Sequence, residues 1–322
     1  MSLSKMRSWV KDSIMEIILL IICILLAFRA EGFFSTANLL NVLRNVSMQG
    51  VIAFGMTMVI ISGEIDLSVG SAVAFAGCLV AFVTQFLAGT IGMPLSLAVP
   101  SAIAVTFAAG FGVGSLTGYL RSRFGVPTFI TTLAWMTILT GVAELITNGF
   151  PLTPFPQWYN FLGGGYLFGV PFPAIVFVLV FMIIHFVMNF TSFGRSVYAV
   201  GGNAEAARLS GIDVRKVKIL VMGIVAFLAV LGGVMQSAQI MSGTATTAKG
   251  WELDIISAVI IGGTSLTGGI GTVRGTLIGI IFLGVLVNGM TLLNISEYWQ
   301  HVVKGVLILA AVLINRAQSQ KK

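Results

Sequence analysis

The sequence predicts an all-α membrane protein that crosses a lipid bilayer about ten times. Of its 322 residues, 57% are hydrophobic and only 9% are charged, and the mean hydropathy is +1.01. A soluble domain carries about 25% charged residues, so this chain has too little polar surface to coat a water-soluble globule. The apolar residues also form long blocks, and a bilayer-spanning helix needs about 20 of them. These blocks lack the alternation of barrel strands, and lipid leaves backbone groups no partner outside a helix.

The apolar blocks define ten predicted spans within one transmembrane domain, residues 1–322. They are 9–28, 39–61, 67–88, 95–119, 126–147, 171–190, 217–240, 254–268, 275–293 and 299–315. The eighth is short and Gly-rich at its end, which favours a half-span or a re-entrant element.

The distribution of Lys and Arg predicts the orientation of the spans. With the N-terminus in the cytoplasm, 14 of the 18 basic residues fall on the cytoplasmic side, and Arg29, Arg44, Lys249 and Lys304 fall outside. Cytoplasmic loops carry the excess of Lys and Arg in membrane proteins. We therefore expect both termini in the cytoplasm. The net charge of +7 follows from this topology, so we do not expect nucleic-acid binding.

The longest cytoplasmic loop, about 191–216, has the pattern of a short helix bounded by glycines. Asn203 is a good N-cap after the Gly201–Gly202 pair, residues 204–209 favour a helix, and Gly211 favours its end. A short helix held in this way between two spans is well suited to bind another protein.

The longest outer loop, about 148–170, is rich in Pro and aromatic residues. It is either a connector lying at the membrane surface or a dock or lid for a partner outside. The sequence leaves both alternatives open.

Two acidic pairs flank predicted spans and suggest an inverted repeat of spans 2–5 and 7–10. Glu64 and Asp66 precede the third span, and Glu252 and Asp254 precede the eighth from the other side. Helix capping explains Asp66 and Asp254 equally well, and helix–helix contacts explain polar residues such as Asn288. The candidate pathway or gate residues are Glu64, Asp66, Ser68, Asp254 and Asn288.

Sequence signatures of catalysis and metal binding are missing from the chain. It has no G-x-x-x-x-G-K-[ST] phosphate loop and no H-E-x-x-H motif, and His185 and His301 stand alone. Cys23 and Cys78 lie in apolar blocks and behave as small hydrophobic residues. We therefore expect no catalytic residue, no metal site and no cofactor bound by this chain.

Three segments resemble the permease subunits of ribose-type ABC importers, within the branched-chain amino acid/ribose-type superfamily of inner-membrane permeases. They are GMTMVIISGEIDLSVGS (55–71), FGRSVYAVGGNAEAARLSGIDVRKVKI (193–219) and ELDIISAVIIGGTSLTGGIGTVRGTLIG (252–279). Glu64 departs from the family pattern, which commonly has a Gly or an Asn-like residue before Ile65. The three motifs occur in order, and length and hydropathy match along essentially the whole chain.

The resemblance implies a function and a set of partners. Such a permease forms the pathway for a sugar or sugar-like solute in a bacterial inner membrane, and it pairs with a second permease copy, identical or related. Two ATPase cassettes bind ATP–Mg in the cytoplasm, and a periplasmic or extracellular sugar-binding protein delivers the solute. The alternative is an ion-coupled secondary transporter of a small polar solute, but no span centre offers the acidic residue that such a transporter needs.

The resemblance also assigns site residues. The cytoplasmic loop acts as the coupling helix that inserts into the cassette. That role falls on Gly201, Gly202, Asn203, Ala206, Ala207, Arg208, Leu209, Ser210 and Gly211. On the outer side, Arg29, Arg44 and Lys249 are candidate contacts for acidic residues of the binding protein.

Overall fold

A computed structural model describes residues 14–319, with the side chains of residues 15–313. The first five residues of the predicted first span, 9–13, lie outside the described residues. The terminal basic residues that contribute to the predicted orientation also lie outside them: Lys5, Arg7, Lys11, Lys321 and Lys322.

The described residues form thirteen α-helices and one short hairpin. The helices are α1 (Ile14–Arg29), α2 (Thr36–Ile61), α3 (Val69–Gln85), α4 (Leu95–Phe124), α5 (Thr128–Thr147), α6 (Phe161–Gly164), α7 (Phe172–Phe190), α8 (Ser192–Gly202), α9 (Ala204–Leu209), α10 (Val214–Ile240), α11 (Trp251–Ile261), α12 (Val273–Leu292) and α13 (Glu297–Ser319). A π-helical turn, Phe86–Thr90, extends α3, and a 3-10 turn, Gln157–Asn160, precedes α6. Strands β1 (Tyr166–Leu167) and β2 (Val170–Pro171) pair antiparallel.

Seven of the described helices are long and apolar enough to cross a membrane: α2, α3 with its π-helical turn, α4, α5, α7, α10 and α12. The prediction of an all-α protein with many spans is therefore confirmed. The eighth predicted span corresponds to α11, whose 11 residues extend about 16 Å, roughly half of a bilayer core. Together with α1, α11 and α13 these seven would make ten, and that number stays a prediction.

The centre of the fold is formed by α2 and α10. Helix α10 packs against α2, α3 and α4, and α2 also packs against α7, α11 and α12. The stripe of Gly110, Gly114 and Gly118 on α4 lies directly against the backbone of α10, where a Cβ on Gly118 would lie 2.6 Å from Ile219 Cα. Gly275 and Gly279 similarly lie against the end of α11. Both small-residue motifs thus serve packing within the chain.

Polar side chains join α2 to α12 at two levels. The hydroxyl oxygens of Thr57 and Thr276 lie 2.6 Å apart in the buried interface. Nearer the start of α2, Asn38 and Asn288 exchange side-chain hydrogen bonds of 3.0 and 2.7 Å. Asn288, a candidate pathway residue, therefore makes a helix–helix contact in this structure.

Candidate functional site

The loop 191–216 folds into two helices, α8 and α9, which meet at Gly202 and Asn203. Thr191 caps α8 by accepting a hydrogen bond of 3.2 Å from the backbone N–H of Gly194. Asn203 has an extended backbone between the two helices, which turns the chain from one into the other. The loop is therefore an ordered helical element that connects α7 to α10.

The start of α9 is fixed by the side chain of Asn203. Its Oδ1 accepts hydrogen bonds of 3.0 Å from the backbone N–H groups of both Glu205 and Ala206. An Asn N-cap satisfies backbone donors that have no partner inside the helix. The predicted N-cap is confirmed.

The end of α9 is fixed by Gly211, whose φ of +84° lies in the left-handed region. The N–H of Gly211 donates to Arg208 O, and the N–H of Ile212 donates to Ala207 O, both at 3.0 Å. This pair of bonds is the Schellman arrangement, which satisfies the last carbonyls of a helix. The predicted glycine stop is also confirmed.

One side of α9 is buried and the other is exposed. Ala207 is buried in the core, whereas the side chain of Leu209 is 75% exposed. Beside it, Arg208 donates to Glu205 in an exposed ion pair of 2.6 Å, and this hydrogen bond lowers the pKa of Glu205. The exposed side of α9 therefore presents an apolar side chain next to a charged pair.

Three chain segments meet around the ends of α2 and α8, and we call this contact the three-loop junction. It consists of residues 61–63, 198–202 and 268–271. The N–H of Gly269 donates to Ile61 O at 2.8 Å, and the hydroxyl of Tyr198 donates to Gly271 O at 2.9 Å. A tyrosine hydroxyl is protonated at neutral pH, and burial raises the pKa of Tyr198 further. Each of the three resembling segments contributes one loop.

Glycine is required where these loops touch. Gly201 lies so close to Ile61 O that no Cβ would fit there. Gly268, with a φ of +84°, faces Gly201 O, from which a Cβ would be only 2.7 Å away. By contrast, Gly202 has open space around it. The backbone of α8 therefore contacts the end of α2 directly, without a side chain between them.

A cluster of charged and polar residues lies beside the junction, and we call Glu64, Arg121, Thr128 and Lys218 the Glu64 cluster. The Glu64 carboxylate is buried and contacts Lys218 Nζ; Arg121 Nε donates to it at 2.9 Å and Thr128 Oγ1 at 2.7 Å. Burial alone would raise the pKa of Glu64, but the hydrogen bonds from Lys218, Thr128 and Arg121 outweigh it and hold the pKa below its ordinary value. Glu64 is therefore ionised at neutral pH.

Asp66 and Ser68 prepare the start of α3. Asp66 Oδ1 accepts a hydrogen bond of 2.8 Å from the N–H of Ser68 and one of 2.6 Å from its hydroxyl, and both residues are buried. This arrangement matches the capping interpretation of Asp66. Asp66 also lines a cavity of about 10 Å³, which has room for a single water molecule.

The remaining predicted pathway and dock residues lie apart from this cluster. Asp254 on α11 accepts a 2.8 Å hydrogen bond from Lys304 on α13. Arg44 donates to the hydroxyl of Tyr166 on β1, and its guanidinium lies 5.0 Å from the centre of that ring. Arg29 and Lys249 are exposed. The structure thus gathers Glu64, Asp66 and Ser68 but not the other candidates.

The loop 148–170 is anchored to the far end of α10. Tyr159 is fully buried there, 2.8 Å from Ser237 Oγ, and its ring stacks on Phe155. Asn160 Nδ2 donates to Ala238 O at 3.1 Å. At the turn of the β1–β2 hairpin, Phe168 is 96% exposed. The loop therefore combines a firmly packed base with a projecting apolar tip.

A family model described as "Branched-chain amino acid transport system / permease component" matches residues 38–312. The chain belongs to this permease family. The permease is 39% identical over 313 residues to the ribose import permease protein RbsC of Escherichia coli (strain K12), covering 96% of this chain and 95% of that protein. It is 41% identical over 304 residues to RbsC of Bacillus subtilis (strain 168), covering 94% of this chain and 91% of that protein.

The name of a third relative specifies a different sugar. The permease is 33% identical over 305 residues to the L-arabinose ABC transporter permease protein AraH of Azospirillum brasilense, covering 95% of this chain and 87% of that protein. No solved structure matches the permease. The resemblance to ribose-type permeases is confirmed, and the permease is a subunit of an ABC importer rather than an ion-coupled secondary transporter.

The sequence predicted the two caps of α9 but missed the contacts around loop 191–216. Arg121 and Lys218 are among the 14 basic residues that the sequence predicts on the cytoplasmic side, and both bind Glu64 in the structure. The glycines at 268, 269 and 271 gave a signal, because such a run permits backbones to touch. No pattern in the sequence indicated the contact of Tyr198, since its partner Gly271 lies 73 residues away in the chain.

Proposed function

We propose that this permease forms, with a second permease copy, the translocation pathway of an ATP-driven importer for a sugar or sugar-like solute. The observation that carries the proposal is the capped helix α9, exposed above a junction in which all three family motifs meet. The names of the relatives, which specify ribose and L-arabinose import, support a sugar as the solute.

The coupling role falls on α9 and its two caps. Leu209, Arg208 and Glu205 on its exposed side would contact an ATPase cassette, while Ala207 and the Gly201 contact hold the helix on the membrane domain. ATP and Mg²⁺ then bind to the cassette, and this chain supplies neither a catalytic residue nor a cofactor site. Cassette closure would move α9, and α10 would carry that movement through the core.

The topology that fits this role has ten spans and both termini in the cytoplasm of a bacterial inner membrane, within one domain of residues 1–322. Loop 191–216 faces the cytoplasm, and loop 148–170 faces outside. An inverted repeat would relate α2–α5 to α10–α13, and the acidic pair before α3 and the pair in the first turn of α11 support it. The orientation is tested by replacing Leu209 or Phe168 with cysteine and labelling that cysteine with a reagent that cannot cross the membrane.

The outer loop is the proposed dock for a sugar-binding protein. Its base is fixed on α10, and Arg44 holds the hairpin through Tyr166, so Phe168 projects from a rigid support. Arg29 and Lys249 would add positive charge to this side for acidic residues of the partner. Charge reversal at these two positions would then weaken binding of the partner and reduce its salt dependence.

Uptake into proteoliposomes tests the function. The permease is reconstituted with its cassette and binding protein, and radiolabelled ribose and arabinose are offered with ATP inside or with an ion gradient alone. The proposal predicts uptake that requires ATP, the cassette and the binding protein together. Uptake driven by the ion gradient without the cassette would contradict it.

A further inference from the structure

The Glu64 cluster joins four elements at the end of the bundle that carries the coupling loop. Glu64 belongs to the short segment between α2 and α3, Arg121 to the end of α4, Thr128 to the start of α5, and Lys218 to the second turn of α10. The three partners come from positions 57, 64 and 154 residues away. A single carboxylate therefore connects helices that have no other ionic contact with one another among the described residues.

The charges in the cluster make Glu64 the member on which the others depend. Two cations share one carboxylate, and within the described residues Glu64 is the acidic group that both contact. The side chain of Lys218 is only 11% exposed, so water solvates its ammonium poorly. A buried cation without its counterion is strongly unfavourable, and loss of Glu64 would leave Lys218 in that state, whereas the 31% exposed side chain of Arg121 would be partly solvated.

Lys218 links the cluster to the coupling loop. Helix α10 begins directly after Asp213. The Asp213 side chain caps the helix by accepting a hydrogen bond of 3.0 Å from the N–H of Lys216. Movement of α9 must displace the first turns of α10, and Lys218 lies in them. The same turns have no spare room against α4, because Gly118 touches Ile219 and the carbonyl of Lys218.

We infer that Glu64 is a positioning residue for transport: it fastens the start of α10 to α2, α4 and α5, so that displacement of the coupling helix moves these helices together. The inference deepens the proposed function and rests on it. Without the carboxylate, α9 would still bind the cassette, but its movement would reach the pathway helices less completely. ATP hydrolysis would then continue with less solute transported.

A purely structural role makes a different prediction. If Glu64 only stabilises the fold, its loss lowers the amount of assembled importer but leaves the solute transported per ATP unchanged in the complexes that remain. The decisive readout is therefore this ratio, measured on purified, assembled complexes, rather than uptake alone.

The experiment reconstitutes the complete importer in proteoliposomes and measures uptake and ATP hydrolysis in parallel. Glu64→Gln keeps the size and the hydrogen bond with Thr128 but removes the charge. Glu16→Gln is the matched control, because Glu16, whose side chain is 35% exposed, makes a long contact of 3.9 Å with the mostly exposed Arg274. We expect Glu64→Gln to lower the transported solute per ATP by about tenfold, within the range of coupling networks, and the control to change it less than about twofold.

A double-mutant cycle separates the ion pair from a general disturbance. Lys218→Met leaves Glu64 with Arg121 and should lower the ratio less than Glu64→Gln does. In the double variant the effects should not multiply, because both substitutions remove the same contact. If the effects of Glu64→Gln and Lys218→Met multiply in the double variant, the two residues do not act through a shared contact, and the pairing is overturned.

An unchanged ratio in assembled Glu64→Gln complexes overturns the inference. If that variant does not assemble, Lys218→Met decides, since an unchanged ratio there overturns the inference equally. A wild-type importer that shows no ATP-dependent uptake would instead refute the proposed function, so the two failures are distinguishable.

Discussion

The two ends of α10 are held in different ways. At its start, the helix meets the Glu64 cluster and the glycines of α4, and loop 191–216 leads directly into it. At its end, it meets loop 148–170 through the buried ring of Tyr159 and the hydroxyl of Ser237. The start is thus fixed by ion pairs and close backbone contact, whereas the end combines close backbone contact at Gly163 of α6 with the aromatic packing of Tyr159.

This difference suggests a division of labour along one helix. Aromatic packing fills space, so it resists displacement and keeps the outer loop in place. Ion pairs are directional and depend on a few atoms, so small changes at the start of α10 should alter coupling more than stability. The predictions below test whether stability and coupling separate between the two ends.

The largest loss of stability is expected at the outer end. Tyr159→Ala removes a fully buried aromatic side chain and should lower the free energy of unfolding by about 3–5 kcal/mol. Unfolding in mixed detergent micelles measures it. Trp158→Ala is the control, because Trp158 is half-exposed beside Tyr159 and should cost much less. Equal losses in the two variants would contradict the packing role of Tyr159.

A smaller loss of stability with a larger loss of coupling is expected at the junction. Gly201→Ala forces a methyl group against Ile61 O and should destabilise the protein by about 1–3 kcal/mol. The solute transported per ATP should fall, because α8 would be pushed away from α2. Gly202→Ala offers a control one residue along the chain, where the space is open. If Gly202→Ala proves as harmful as Gly201→Ala, close contact is not the cause.

The N-cap of α9 should contribute less. Asn203→Ala leaves the N–H groups of Glu205 and Ala206 without their acceptor and should destabilise α9 by about 1 kcal/mol. Amide hydrogen exchange of residues 204–209 measures the local effect. Asn203→Asp retains an acceptor and should exchange like the wild type. Unchanged amide exchange in Asn203→Ala would show that the Asn203 cap does not stabilise α9.

The smallest effect is expected for the exposed ion pair on α9. Glu205→Gln removes a solvated pair with Arg208, and such pairs contribute little to stability. The melting temperature of the isolated permease should therefore not change measurably, in contrast to that of Glu64→Gln. A marked decrease would show that α9 depends on this pair for its fold.

Local signals in the sequence predicted the elements well. Apolar blocks placed most helix ends within a few residues, and Asn203 and Gly211 marked both ends of α9. The short eighth element also followed from its Gly-rich end, since Gly262 and Gly263 stop α11. Caps and hydropathy act over a few neighbouring residues, so the chain itself carries this information.

Contacts distant in sequence could not be predicted in the same way. Glu64 and Lys218 are 154 residues apart, and Asn38 and Asn288 are 250 apart. Which helices become neighbours depends on the whole packing arrangement, and the sequence pattern around each residue gives only its own helix face. For this reason Asn288 looked as suitable for a pathway as for the helix contact that it makes.

The central claim is that α9 binds the ATPase cassette while the opposite end of α10 faces another partner. The most direct measurement places a photo-crosslinking amino acid at Leu209 or at Phe168 in the complete importer and identifies the attached subunit by mass spectrometry. Both side chains are exposed in the permease. The account predicts that Leu209 attaches to the cassette and Phe168 does not. Attachment of the cassette at Phe168, or its absence at Leu209 in an importer active in ATP-dependent uptake, would contradict it.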